Sequence, residues 1–174
     1  MSWMDARVRL AAIVAAVVLV ADQATKAIVQ ATMTPHESRY VLPFFALTYV
    51  RNTGAAFGVL ATYRPEIRLP LFFVVTVVAV GALVSFLRRT SPDHRWLVGA
   101  LGGILGGALG NLVCRVFRQG EVIDFLDVHW GTLLHWPAFN VADSAITVGV
   151  AIVLLHGLRH GDEAEATRRY PEKA

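Results

Sequence analysis

Four stretches of this chain are long and apolar enough to cross a bilayer, and nothing else in the sequence constrains its fold as strongly. A spanning helix needs about 20 mostly apolar residues, because the hydrocarbon core is about 30 Å thick. The four stretches are about 8–29, 69–87, 96–117 and 141–158. The first contains the unbroken apolar run Leu10–Ala21, and the second is broken only by Thr76 and Ser85. Composition agrees: charged residues make up 17% of the chain and hydrophobic ones 55%, whereas soluble domains carry about a quarter charged residues. That much apolar surface excludes a solvated coil. The single cysteine, Cys114, excludes a disulfide scaffold within the chain. A net charge of +3 raises the question of nucleic acid, but no basic stripe with interleaved aromatics is present.

The first stretch has two readings. Arg7, Arg9 and Leu10–Ala21 resemble the n- and h-regions of a cleaved signal peptide. The small-x-small cleavage pattern is poor, however, and the segment runs on into Asp22 and Lys26, so a retained helix is expected. Orientation follows from basic residues. Their totals barely differ between the two sides, so density decides. The short second connection holds Arg88, Arg89 and Arg95, which places it and both termini in the cytoplasm. Segments 30–68 and 118–140 then face the other side. Tyr40–Val50 is rich in aromatic and β-branched residues and contains Pro43, so it reads as short strands or an interfacial segment. Trp130 and Trp136 suit the headgroup level. The expected organisation is one membrane domain over 1–160 and a solvated cytoplasmic tail over 161–174.

The third stretch carries two glycine series of spacing four: Gly99, Gly103, Gly107 and Gly102, Gly106, Gly110. In lipid, small-xxx-small faces let helix backbones approach closely. Two such faces predict a central helix touching more than one neighbour.

The polar residues within this apolar frame need reasons, since an ionised group at a bilayer centre costs at least roughly 2.5–3.5 kcal/mol. Asp22 and Lys26 stand at i and i+4, in the favourable order for a helical pair, and are either structural or functional. Asn52 and Gly54 make either a glycine turn with an Asx-type bond or a backbone that lets a substrate chain come close. Asn111 and Arg115 share one face of the third helix; the arginine either snorkels or binds a carboxylate or lipid phosphate through its planar fork. Cys114 beside them reads as a small apolar filler. Asp124 is enclosed by Val122, Ile123, Phe125 and Leu126, while Asp127 is expected to be exposed. Asp143 lies in the first turn of the fourth helix, where a capping role fits well. If helices three and four are neighbours, Asp124 and Asp143 meet. Two carboxylates in a dry site cannot both ionise easily, so one keeps a proton. Such a pair can activate water and protonate a leaving amine. Proton or ion translocation is the other standard use of intramembrane carboxylates. No HExxH, GxSxG or Walker loop is present, and the six histidines lack metal spacing.

Five short motifs occur in order: DQATK (Asp22–Lys26), NTGAAFG (Asn52–Gly58), GGALGN (Gly106–Asn111), GEVIDF (Gly120–Phe125) and FNVADS (Phe139–Ser144). Through them nearly the whole chain resembles lipoprotein signal peptidase (signal peptidase II), the bacterial membrane aspartic peptidase family. The resemblance implies four transmembrane helices, a small extracytoplasmic β-cradle built from 30–68, and a location in the bacterial cytoplasmic (inner) membrane with the active site near the outer face. It implies removal of the signal peptide from diacylglyceryl-modified prolipoproteins, cutting before the lipidated cysteine, with no metal and no cofactor. Asp124 and Asp143 take the positions of the family's catalytic aspartates. Asp22, Lys26, Asn52, Gly54, Asn111, Arg115 and Asn140 take the positions expected to bind substrate or support the pair. Expected partners are the lipidated substrates, membrane lipid and the family's cyclic peptide inhibitors; nucleic acid is not among them, and a monomer suffices. One departure stands out. Leu112-Val113-Cys114-Arg115 carries a thiol where the family usually has a carboxylate, which leaves Arg115 to find another acid or a lipid phosphate.

Overall fold

The computed structural model describes residues 3–54, 63–130 and 134–169. Positions 55–58 of the NTGAAFG motif and positions 170–174 of the charged tail therefore lie outside the described residues. Four helices carry the fold: α1 (Trp3–Thr32), α2 (Pro65–Arg89), α3 (Arg95–Phe117) and α4 (Val141–Arg169). All four contain a segment long and apolar enough to span a membrane. The four expected spans are present, and three helices outrun them. α1 begins at Trp3 and α2 at Pro65, where proline suits the first helical turn. α4 continues to Arg169, through the segment expected as a frayed tail. The Ala- and Glu-containing stretch beyond Gly161 is composed largely of good helix formers, and charge does not break a helix.

Burial is inverted relative to a soluble bundle. Val17, Val20, Val78 and Leu154 on α1, α2 and α4 are exposed, as side chains that face hydrocarbon must be. α3 is the buried centre, with Leu97, Leu101, Ile104 and Cys114 enclosed. The glycines explain why. A Cβ at Gly102 would stand 2.6 Å from the Ala11 carbonyl oxygen, and one at Gly106 2.5 Å from that of Ala15, both on α1. A Cβ at Gly107 would stand 2.5 Å from the Ala142 oxygen on α4. The two glycine faces thus receive two different helices, as expected. Of the six glycines in the two series, Gly99 alone has open space around it. Gly106→Ala is predicted to cost about 2–3 kcal/mol, because backbone rather than a movable side chain blocks the methyl. Gly99→Ala is predicted to be neutral. Thermal unfolding of the two detergent-purified variants checks the contrast.

A four-stranded antiparallel sheet caps one end of the bundle in the order β1-β2-β3-β4. The strands are β1 (Ser38–Leu42), β2 (Phe45–Asn52), β3 (Val122–Trp130) and β4 (Leu134–His135). The strand-like reading of Tyr40–Val50 holds. The cradle is not built from 30–68 alone, however: β3, from beyond the third helix, pairs along β2 and places Val50 opposite Asp124. Val29, Met33, Tyr49, Ile123 and Phe125 form a core that fastens this sheet to α1. A second core of Ala11, Leu87, Leu97, Val98 and Leu101 closes the opposite end.

Candidate active site

Asp124 sits on β3 and Asp143 on the first turn of α4, so they meet only if those elements are tied together. The tie is Phe139. Its carbonyl accepts from the N–H groups of Phe125 and Leu126 at 2.9 and 2.8 Å, and its own N–H donates to the Leu126 carbonyl at 3.0 Å. This short bridge sets the start of α4 against the strand that carries Asp124.

Asn140 then joins the two acids. It caps α4: its Oδ1 accepts from the Asp143 N–H at 2.9 Å, and the Asp143 carboxylate accepts from the Asn140 N–H at 3.2 Å. This reciprocal arrangement is a capping box with Asp in the Glu position. Because the carbonyl end of the Asn140 amide is used on the cap, its Nδ2 faces Asp124 and donates to Oδ1 at 2.6 Å. The second oxygen of Asp124 accepts from Asn52 Nδ2 at 2.8 Å, a diagonal cross-strand pair on one face of β2–β3. Asn52 Oδ1 meanwhile accepts from the Gly54 N–H at 2.9 Å, the Asx-type bond that is one of the two readings of this segment.

Asp143 is held from the other side by Asn111, whose Nδ2 donates to Oδ1 at 2.7 Å. That amide is oriented by Lys26, which donates to Asn111 Oδ1 at 3.0 Å. A carbonyl facing an ammonium leaves the NH₂ end for the carboxylate. Lys26 is itself fully buried and paired with buried Asp22 at 2.8 Å. Asp22 turns its other oxygen to the Ala142 N–H on α4 at 3.0 Å. A hydrogen-bonded chain therefore runs from Asp22 through Lys26 and Asn111 to Asp143.

Arg115 donates to the Gly54 carbonyl at 3.0 Å and lies over the Phe72 ring at 4.2 Å. It lines the same cavity as Asp143 and Asp124. The thiol of Cys114 points elsewhere, to Gln23 Nε2 at 3.5 Å and Arg118 Nη1 at 3.2 Å. Adjacent helical residues are about 100° apart, which separates the two directions. The Cys114 thiol is therefore bonded to Arg118 and not to Arg115. Gln23 was not singled out in the sequence, yet it bonds Asp22 Oδ2 at 2.9 Å and the Gly110 carbonyl at 3.0 Å. Its only signal was membership in the DQATK motif. Asp127 is partly covered and accepts from Thr48 Oγ1 at 3.0 Å, away from Asp124.

Asp124, Asp143, Asn52, Gly54, Asn111 and Arg115 all line one cavity of about 630 Å³, whose other wall includes Trp136, Ile146 and Val148. Its lining combines a few polar groups with apolar side chains, a common form of ligand site. Burial is the main influence on Asp124, which lies outside the spans. Together with the neighbouring Asp143 charge it pushes the carboxyl up to about 6, against the opposing bonds from Asn52 and Asn140 and the charge of Lys26.

Four apolar helices with two carboxylates at one end, Asp124 buried and Asp143 half-buried, define a multi-pass membrane protein with a polar site. The profile of the family described as Signal peptidase (SPase) II matches residues 14–159. A lipoprotein signal peptidase of Syntrophotalea carbinolica is 50% identical over 160 residues, covering 89% of this chain and 97% of that protein. That of Geobacter metallireducens is 51% identical over 152 residues, 87% and 91% of the two chains. The Pseudomonas aeruginosa protein of the same name is 43% identical over 150 residues, 86% and 88%. A bacterial membrane enzyme solved by the in meso method at 2.3 Å resolution superposes with a TM-score of 0.77 at 34% identity, over 88% of this chain and 90% of that one. This chain belongs to the signal peptidase II family.

Proposed function

We propose that the protein is a lipoprotein signal peptidase that works as an aspartic endopeptidase, with Asp124 and Asp143 as the reacting pair. The observation that carries this reading is the shared cavity in which both carboxylates are held by amide donors at 2.6–2.8 Å. In this reading Asp124, whose carboxyl is pushed up to about 6 by burial, holds the single shared proton. Water lies between the acids. Asp143 takes a proton from it as the water oxygen attacks the scissile carbonyl, and Asp124 gives its proton to the carbonyl oxygen. Collapse of the tetrahedral intermediate returns a proton to Asp124, while Asp143 passes its own to the leaving amine. The products are a carboxyl-ended signal peptide and a free amino terminus on the lipidated cysteine.

Other parts of the site fit this substrate. Arg115 Nε is buried without an acceptor among the described residues, so a peptide carbonyl can satisfy it. Ile146 and Val148 give the cavity an apolar wall, which suits diacylglyceryl chains entering from the membrane. The family's cyclic peptide inhibitors would occupy the same cavity. Arg88 and Arg89 at the end of α2 and Arg95 at the start of α3 support an orientation with both termini in the cytoplasm and the sheet end outside. Residues 1–160 form the catalytic unit, and one chain holds the whole site.

The test is the pH dependence of cleavage, with and without EDTA. Mono-protonation is lost as Asp124 ionises, so kcat/KM is expected to fall as pH rises through about 6. EDTA is expected to change nothing. An alkaline limb near 4, or loss of activity with chelator, contradicts the reading.

A further inference from the structure

The opposite face of β2–β3 carries a second polar cavity, of about 230 Å³, closed by the ends of α1 and α3 and including Gln30, Arg51, Phe117, Arg118, Gln119 and Glu121. Strand alternation separates it from the carboxylate pair: Arg51 pairs with Ile123, while Asn52 and Asp124 point to the other side.

Arg118 is its unusual member. Nη1 donates to Gln23 Oε1 at 3.1 Å and to Cys114 Sγ at 3.2 Å, and Nε to Gln30 Oε1 at 3.4 Å. All three partners are neutral, and among the described residues no carboxylate lies within ion-pair distance of it. Arg51 Nη1 has Glu121 at a long 3.7 Å, with both side chains partly exposed. Two guanidinium groups thus face one carboxylate across a single cavity, a local excess of one positive charge.

The depth of the site says what would balance it. Arg118 follows directly on the last turn of α3, at the boundary where headgroups lie. Next to it, Phe117 is 79% and Val116 58% exposed, and Ile28 on α1 is 61% exposed, an apolar surface for acyl chains just below a cationic pocket. The planar fork of arginine matches a phosphate with two parallel hydrogen bonds. We propose that this cavity binds the phosphate of an anionic phospholipid headgroup, held by Arg118 and Arg51, with the acyl chains lying on α1 and α3.

The test is native mass spectrometry of the full-length, detergent-purified protein titrated separately with phosphatidylglycerol, phosphatidylcholine and inorganic phosphate. Phosphatidylglycerol is expected to bind wild type, and about tenfold more weakly to Arg118→Gln, for loss of a charge-assisted contact. Cys114→Asp should weaken it similarly, because an internal carboxylate then answers Arg118. Arg118→Lys should retain part of the binding, and thermal unfolding identifies any variant that is not folded. The proposal is overturned if Arg118→Gln and Cys114→Asp bind phosphatidylglycerol as wild type does. It is overturned equally if phosphatidylcholine binds as tightly as phosphatidylglycerol, or if only inorganic phosphate shows the Arg118 dependence.

Discussion

Asp124→Asn is expected to leave the protein more stable and almost inactive. The carboxyl of Asp124 is only 2% exposed and is raised from 3.8 to about 6. A group whose folded value is raised contributes stability below its unfolded value and loses it as pH rises through the folded one. Above pH 7 the wild-type fold therefore carries a cost of about 3 kcal/mol for ionising this site, at 1.36 kcal/mol for each of about two units. An asparagine removes that cost, although it must accept from Asn52 and Asn140 with one oxygen where the acid has two. Unfolding at pH 8 should occur several degrees higher than in wild type, and the advantage should shrink as pH falls below about 6. Cleavage should fall at least about 10³-fold, within the usual range for an acid–base group that takes part in the reaction. Thermal unfolding at pH 5 and pH 8 checks the first part. A variant less stable than wild type at pH 8 would mean that Asp124 is not held against its ionised form.

Lys26→Met should have a large effect of opposite sign. Asp22 and Lys26 are both fully buried, 2.8 Å apart. Removing one partner leaves the other charge uncompensated, at a cost of about 3–5 kcal/mol. Adding Asp22→Asn removes the stranded charge, so the double variant should regain most of the lost stability. It should not regain activity. Lys26 also turns the carbonyl of Asn111 away from Asp143, at 3.0 Å from its own Nζ. Without that ammonium only the longer 3.3 Å bond from Asn140 Nδ2 holds the carbonyl in place, so the amide reverses more readily and Asp143 then meets an oxygen where it had an N–H. A loss of about 10²-fold in kcat/KM is expected to persist in the double variant. Unfolding and cleavage measured on both single variants and the double separate the two roles. Full activity in the stabilised double variant would make the pair a packing device only.

The spans were legible because hydrocarbon imposes a length and a composition that any sequence must display. Their ends were less so: nothing in the apolar pattern marks that α4 continues as a helix to Arg169. The glycine spacing announced two close contacts on α3, but which helix fills each face depends on packing that no periodicity encodes. β3 was missed for a physical reason. In Val122–Trp130 an acid occupies a buried position, at Asp124, so the apolar alternation that marks a strand is broken where the proposed chemistry sits. The two acids were visible as groups that need a reason to be there, and pump and protease remained equally good reasons on composition. Their meeting depends on the Phe139 bridge, a set of backbone hydrogen bonds with no side-chain signature. The direction of Cys114 was equally hidden: neighbours in sequence, Cys114 and Arg115 face different partners on the helix.

The most direct measurement is single-turnover cleavage of a diacylglyceryl-modified prolipoprotein by purified wild type, Asp124→Asn and Asp143→Asn, each in EDTA. The expected result is cleavage by wild type before the lipidated cysteine and none by either folded variant. Cleavage by both variants at the wild-type rate would contradict the claim that this carboxylate pair does the chemistry.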